Sequence, residues 1–135
     1  EMCMPHSAVY DNLLTARLHN GAAQRSIVGT VIHGEPSLVS LDGQRLQCVL
    51  SGEMLVDLHH DRPGIVGRLG LALGEAGINI SFVQMSRAAR GGPQIMILGL
   101  DEPVHAALLP RLQEAPDVLR VRPVSLPPLD GAPSA

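Results

Sequence analysis

The hydrophobic pattern of residues 53–76 changes its period once, and this change most constrains the fold. Residues 53–60, EMLVDLHH, alternate between two faces, which is typical of a β-strand. From Pro63 onward the apolar residues recur at helical spacing and would share one helix face: Ile65, Leu69, Ala72, Leu73 and Ala76. Pro63 suits the first turn of a helix, where its missing N–H has no partner to lose, and Gly77 suits the left-handed position that ends one. A strand followed by a helix is therefore predicted.

The chain beyond Gly77 continues the alternation of strands and helices. Three further strands are predicted, over 78–86, 94–100 and 118–126. The middle one, QIMILGL, is apolar on both faces and should be central, whereas Pro123 in the last one cannot donate to a ladder and indicates an edge.

A second helix is predicted between the last two strands. Asp101 and Pro103 should start it, and Pro110 inside it should kink or break it, at about 3 kcal/mol. Residues 53–126 thus have the order β-α-β-β-α-β. This order predicts a ferredoxin-like α+β domain, in which a four-stranded antiparallel sheet carries both helices on one face.

Residues 10–50 have no helical period and indicate short β-strands instead. These are predicted over 12–19, 25–33, 37–41 and 44–50. The Asp42-Gly43 pair between two apolar runs is the strongest short-range hairpin signal. We therefore predict a β segment over 1–52 that is incomplete by itself, the α+β domain over 53–126, and a disordered tail over 127–135.

Composition argues against several classes of function. The chain has 10 basic and 13 acidic residues, one Phe, one Tyr and no Trp, so neither a basic stripe nor stacking platforms for nucleic acid are expected. Its apolar runs are too short to span a bilayer. Because apolar residues make up 45% and aromatic ones 1%, an aliphatic core that is completed by a second copy is expected, and hence a homo-oligomer.

The two cysteines, Cys3 and Cys48, occur without a signal-peptide pattern. Free thiols in a reducing cytoplasm are therefore expected. For Cys48 the default interpretation is a buried, inert thiol.

No catalytic or metal-binding constellation is recognisable. The glycines at 67, 70 and 74 do not follow the G-x-G-x-x-G spacing, and each costs a helix about 1 kcal/mol relative to Ala. Close packing against a strand or a partner explains them better than a phosphate site. His59 and His60 are neighbours on a strand and point to opposite faces, so they do not suit one metal ion.

The stretch HHDRPGIVGRLGLALGEAGINI (59–80), followed by Gly-Gly at 91–92 and LDEPV at 100–104, resembles an ACT domain, a small amino-acid-sensing module. Residues 27–56 are similar to the segment that joins the intervening regulatory domain to the ACT domain in long bacterial D-3-phosphoglycerate dehydrogenases. The resemblance covers roughly residues 11–126. It implies the C-terminal regulatory segment of an NAD-dependent enzyme of serine biosynthesis.

Two features set limits to this resemblance. The intervening domain of the family is much longer than the stretch before residue 53, so only its last strands are expected here. The NAD-binding and substrate domains have no counterpart in the sequence, so this chain should neither hold NAD nor catalyse hydride transfer. Alternative interpretations are the ACT-containing segment of an iron–sulfur L-serine dehydratase, or a structural dimerisation module without a ligand.

The resemblance also implies a ligand site. L-serine or another small amino acid would bind between the ACT domains of two subunits, in contact with residues at the positions of His59, Asp61 and Asn79. The residue chemistry agrees, because the N–H groups of a helix start suit a carboxylate, Asp61 suits an ammonium, and the Asn79 amide can bridge both. The predicted ligand-binding set is His59, Asp61, Gly64, Ile65, Val66, Asn79 and Ile80.

Each of the polar residues has a simpler interpretation as well. Asp61 can serve as a helix cap, Asn79 can fix the turn after Gly77, and His59 can be a solvated strand residue. The resemblance further implies that a basic residue near Arg45 contributes to an anion site of the intervening domain. A solvated hairpin arginine is the favoured alternative there.

Overall fold

The computed structural model describes residue 10 and residues 12–129, and all structural statements concern that part of the chain. The chain forms two compact units whose boundary lies between Leu50 and Ser51. Each unit contains one four-stranded antiparallel sheet. Of the described residues, only those of the second unit form α-helices.

The first unit is a meander in which each strand pairs with the next one along the chain. Its strands are β1 (Leu14–Asn20), β2 (Ala23–Ile32), β3 (Glu35–Leu41) and β4 (Gln44–Val49). Asp42 and Gly43 have φ values of 48° and 78°, which is the backbone that a two-residue type I′ turn requires. The Asp42 carboxylate accepts hydrogen bonds from the Ser26 N–H (2.8 Å) and from Arg25 (2.7 Å). The predicted hairpin is confirmed, and its turn is fastened to β2.

Burial in the first unit is concentrated in β3 and β4. Leu38, Leu46 and Cys48 are buried, whereas β1 is exposed along its whole length. The prediction of a buried, free thiol is confirmed for Cys48. Burial raises the pKa of this thiol to about 11, which favours the unreactive protonated form. Cys3 lies outside the described residues, as does the predicted tail from residue 130 onward.

The second unit has the predicted order of elements. These are β5 (Gly52–His60), α1 (Ile65–Glu75), β6 (Ile80–Arg87), β7 (Pro93–Leu100), α2 (Leu109–Gln113) and β8 (Val118–Leu126). The strand order across the sheet is β6-β7-β5-β8, and all neighbours are antiparallel. The ferredoxin-like fold, the central position of β7 and the edge position of β8 are confirmed.

The core of the second unit lies between the sheet and the helices. Leu55, Met96 and Leu98 of the sheet belong to the same buried cluster as the apolar face of α1 and Leu112 of α2. Four of the five residues predicted for that helix face are buried: Ile65, Leu69, Ala72 and Leu73. Each large aliphatic side chain in this cluster contributes about 1.5–3 kcal/mol through burial.

Both predicted helix starts are wrong. Gly64, with φ of 90°, occupies the N-cap of α1, so Pro63 precedes the helix. The second helix does not start at Asp101 or Pro103, and it spans only five residues around Pro110. Because a proline ring clashes with the preceding helical turn, α2 begins one residue before Pro110 and has that proline in its first turn.

The glycines of α1 do not pack against a strand. A Cβ atom at position 67, 70 or 74 would meet no atom within 4 Å in the described part of the chain, so that explanation is wrong and packing against a partner stays a prediction. A different glycine has a packing role. The Phe82 ring lies over Gly99, where a Cβ would also lie 2.7 Å from the Ser81 hydroxyl oxygen.

Candidate functional site

The predicted ligand-binding residues lie at two opposite ends of the second sheet. His59 and Asp61 lie where β5 ends, at the end of the sheet that also contains Arg87. Asn79 and Ile80 lie where β6 begins. Because a strand rises about 3.3 Å per residue, the backbones of Asn79 and Arg87 are about 26 Å apart. One copy of the chain therefore does not bring Asp61 and Asn79 to the same small molecule.

Asp61 fastens the segment before α1 to the β6–β7 hairpin. Its carboxylate accepts hydrogen bonds from the Gly91 N–H (3.2 Å) and from Arg87 (2.7 Å), and its own N–H donates to the Gly92 carbonyl (2.9 Å). The Gly91 hydrogen bond and then the Arg87 guanidinium lower the pKa of this carboxyl, which keeps it ionised. The interpretation of Asp61 as a helix cap is wrong, because Gly64 is the N-cap residue of α1 and no side chain forms a capping hydrogen bond at this helix end.

The first turn of α1 is electropositive. Gly64 offers no side-chain acceptor to the N–H groups that follow it, and the Arg68 guanidinium lies 3.2 Å from where a Cβ of Gly64 would be. Ile65 is buried and presents only its backbone, whereas 44% of Val66 is exposed. The helix dipole, the free N–H groups and Arg68 all favour an anion at this position.

His59 is buried, so the interpretation of this histidine as a solvated strand residue is wrong. Its ring is 1% exposed because it projects from the same face of β5 as Leu55, on which the helices pack. Nδ1 contacts the Asp57 carboxylate, and Nε2 lies 2.9 Å from the side-chain oxygen of Gln94. In this arrangement both ring nitrogens already have partners.

Asp57 is the most deeply buried charged residue of the site. It is 0% exposed, and its Oδ1 has no hydrogen-bond partner among the described residues. Burial raises the pKa of the Asp57 carboxyl, while the hydrogen bond from His59 opposes that rise. Asp57 was not predicted from the sequence to be functional.

Asn79 is exposed at the other end of the sheet. Its side-chain NH₂ donates to the Asp101 carboxylate (2.6 Å), and its backbone N–H donates to Glu102 (2.9 Å). It therefore joins the start of β6 to the segment after β7, rather than fixing the turn at Gly77. Ile80 is half-buried and packs on the core cluster.

Exposed apolar residues lie along the side of the second unit where β6 is the edge strand. This strand is a sheet edge without proline, and 44% of Val83 and 43% of Met85 are exposed. On α1, Arg68 and Glu75 face Asp117 and Arg111 of the segment around α2, so the opposite flank of the helix carries Val66 and Gly70. We call Val66, Gly70, Val83 and Met85 the β6 margin.

Arg45, by contrast, is exposed on β4 opposite Ser40. The hairpin carboxylate of Asp42 pairs with Arg25. An anion site at Arg45 stays a prediction.

Two classes of site are absent from residue 10 and residues 12–129. Within these residues, no three His, Cys, Asp or Glu side chains cluster closely enough to hold a metal ion. No helix in this range is both long and apolar enough to cross a membrane.

Comparison with known proteins gives consistent matches. Residues 54–117 match the model of the ACT domain family. The D-3-phosphoglycerate dehydrogenase of Methanocaldococcus jannaschii is 32% identical over 117 residues, which cover 87% of this chain and 22% of that enzyme. The enzyme of Bacillus subtilis is 29% identical over 119 residues (87% and 23%), and that of Synechocystis is 32% identical over 101 residues (74% and 18%). The chain thus spans less than a quarter of the length of these relatives.

Proposed function

We propose that this protein is a regulatory module. The premise is that residues 54–117 belong to the ACT domain family and that the chain is homologous to part of D-3-phosphoglycerate dehydrogenases. It binds a small amino acid, with L-serine as the first candidate, between two copies of itself. The observation that carries this proposal is that Asn79 lies at the start of β6, whereas Asp61 contacts Arg87 at the end of that strand.

A two-fold pairing of β6 with β6 of a second copy would remove that separation. In an antiparallel pair, the start of one strand lies opposite the end of the other. Asn79 of one copy would then lie near Asp61 and Arg87 of the other, and two equivalent sites would form. The exposed apolar side chains of the β6 margin support this edge as the contact, because long unprotected edge strands tend to pair.

The groups at such a site match an amino-acid zwitterion. The N–H groups at the start of α1 would take the carboxylate. Asp61 has a carboxylate that is kept ionised, and the Asn79 side-chain oxygen is an acceptor for which no hydrogen bond is formed among the described residues. These two acceptors, one from each copy, would take the ammonium.

The relatives support a place for this module in serine biosynthesis. All three enzymes named above are D-3-phosphoglycerate dehydrogenases, which favours that parent over an iron–sulfur L-serine dehydratase. We assign catalysis and NAD binding to parts of the parent enzyme that this chain does not match. We assign residues 1–52 to the end of an intervening domain, and we place the parent enzyme in the cytoplasm. The chain itself then regulates and assembles, and it should not turn over phosphoglycerate.

A thermal-shift panel over the common amino acids tests ligand binding. A ligand at 100 times its Kd stabilises the folded state by about 2.7 kcal/mol. Asp61→Ala and Asn79→Ala should each weaken binding about 10-fold or more, because each removes a hydrogen bond to a charged group. Asn20→Ala, at the exposed end of β1, is the matched control and should bind as the wild type does.

Mixing the two variants tests whether the site is shared. Neither Asp61→Ala nor Asn79→Ala alone has an intact site, but a mixed dimer has one site with both residues native. After subunit exchange, about one quarter of the wild-type binding capacity should return in calorimetry. No recovery despite exchange would contradict the shared site. A dimer that ignores every amino acid would instead identify a purely structural assembly module.

A further inference from the structure

Three polar side chains form a row across the strands at the Asp61 end of the sheet. His59 of β5 is directly opposite Gln94 of β7, and Gln94 is directly opposite Arg87 of β6. Residues that are directly opposite in a sheet project from the same face, so this row lies on the face that the helices cover. Arg87 in turn holds Asp61. Gln94 is therefore between the histidine and the arginine of the proposed ligand site.

The two nitrogens of the His59 ring are directed toward different parts of the unit. Nδ1 contacts Asp57, which is on the same strand and farther from the ligand end. Nε2 faces Gln94 on β7, the neighbour of the edge strand β6. It is consequently the ring nitrogen on the side where a second copy and a ligand would meet.

We propose that Gln94 is an internal competitor for His59, so that the ligand must take the place of the Gln94 side chain at Nε2. This inference rests on the proposed function and specifies how affinity at that site is set. In the free chain the neutral amide oxygen of Gln94 accepts from Nε2–H. On binding, the ligand carboxylate replaces it, and a charged acceptor forms the stronger hydrogen bond.

The Asp57 contact explains why His59 can make this exchange without moving. Asp57 is buried and contacts Nδ1, so it fixes the ring plane and leaves Nε2 as the variable contact. Asp57 and Gln94 are thus positioning residues that act through His59. The Oδ1 atom of Asp57 has no hydrogen-bond partner among the described residues, so Nδ1 of His59 is the one side-chain contact of this carboxylate there.

Gln94→Met tests the competition, because methionine has a similar length and forms no hydrogen bond comparable to that of the amide. The isolated chain is titrated with L-serine in a calorimeter. The variant should bind about 2- to 10-fold more tightly than the wild type, which corresponds to one neutral hydrogen bond that no longer has to be exchanged. A merely structural role of Gln94 predicts the opposite sign. Gln47→Met on β4, an exposed glutamine in the first unit, is the matched control and should leave the affinity unchanged.

A second measurement does not depend on the variant folding. In ¹⁵N-labelled wild-type chain, L-serine should shift the Nε2 resonance of His59, assigned by through-bond correlation to the His59 backbone, and should leave the Nδ1 resonance nearly unchanged. An Nε2 resonance that does not respond to saturating L-serine would overturn the inference, as would unchanged or weaker binding by a folded Gln94→Met.

The two proposals fail in distinguishable ways. If the wild type binds L-serine and Gln94→Met is not tighter, only the competition is refuted. Binding by the variant alone would support the competition and show that Gln94 blocks the site in the free chain. If neither binds L-serine or any other amino acid of the thermal-shift panel, the ligand-binding function and the competition are both refuted.

Discussion

Replacing Asp57 and His59, separately and together, tests whether the buried pair serves the site rather than the fold. Asp57→Leu leaves the His59 ring buried without its acceptor, and His59→Phe leaves a carboxylate that is 0% exposed without its donor. Removing one partner of a buried pair of ionisable groups leaves the other without its hydrogen bond, which costs about 3–5 kcal/mol where both are charged. Since whole domains are stable by only about 5–15 kcal/mol, each single variant should be markedly destabilised.

The double variant should behave differently. It removes both buried polar groups and places two apolar side chains in a cluster that already contains Leu55, Met96 and Leu98. Apolar replacement of a whole buried pair is often neutral or stabilising by about 1–4 kcal/mol. The Gln94 side chain loses its partner as well, which offsets about 1 kcal/mol of that gain. The double variant should therefore be more stable than either single variant by several kcal/mol.

Urea denaturation followed by circular dichroism measures the four free energies of unfolding of this cycle. His60→Phe, next to the pair but outside it, is the control and should change stability by no more than about 0.5 kcal/mol. The double variant should fold and fail to bind L-serine, which separates stability from ligand recognition. If the two single effects simply added, the pair would have no coupling energy, and the account of a mutually dependent buried pair would be refuted.

The remaining predictions concern single positions. Gly99→Ala should cost about 1–3 kcal/mol in urea melts because its Cβ overlaps the Phe82 ring, and the loss should shrink in a Phe82→Leu background; equal losses in both would contradict the overlap. A Cβ at position 70 would lie in open space, so Gly70→Ala should add up to about 1 kcal/mol to the stability of the unit. If the β6 margin is the interface, sedimentation should show that this variant forms a weaker dimer. Cys48, with a pKa of about 11, should react with a disulfide reagent far more slowly in the native state than in urea, measured in a Cys3→Ser background; equal rates would refute its burial. Because the pKa of Asp61 is lowered from 3.8, its contribution to stability is present above that pH and is lost as the pH falls through the folded-state value. Asp61→Asn should therefore reduce the fall of the melting temperature at acid pH, and an unchanged fall would refute this contribution.

The order of elements was predictable because it depends on local periodicity. The change from alternation in β5 to helical spacing in α1, the left-handed Gly77 and the edge position of Pro123 all follow from the chemistry of one segment. The helix limits were less accessible. Gly64, with φ of 90°, is the N-cap of α1, and Pro110 shortens α2. The hydrophobic pattern does not specify either backbone conformation, so the helix limits could not be derived from it.

The candidate site could be predicted only where its residues are close in sequence. Asp61 and Gly64 are near each other on the chain, and the structure places them together at the start of α1. Gln94 and Arg87 were missed because their relation to His59 depends on which strands pair and in which register. The polar letters of Asp57 and Gln94 at inward-facing strand positions were the available signal, since buried polar residues usually have a specific partner.

A site whose two acceptors come from different copies couples ligand binding to assembly. Asp61 and Asn79 are held apart by the length of β6 in one copy, so the complete site would exist only in the dimer. By linkage, a ligand that needs the dimer must strengthen it by the same factor by which dimerisation strengthens the ligand. The exposed apolar side chains of the β6 margin, Val66, Val83 and Met85, are of medium size, which suits an interface of modest strength. Such an interface would respond to an effector, because one extra bridging molecule is then a substantial fraction of its total free energy.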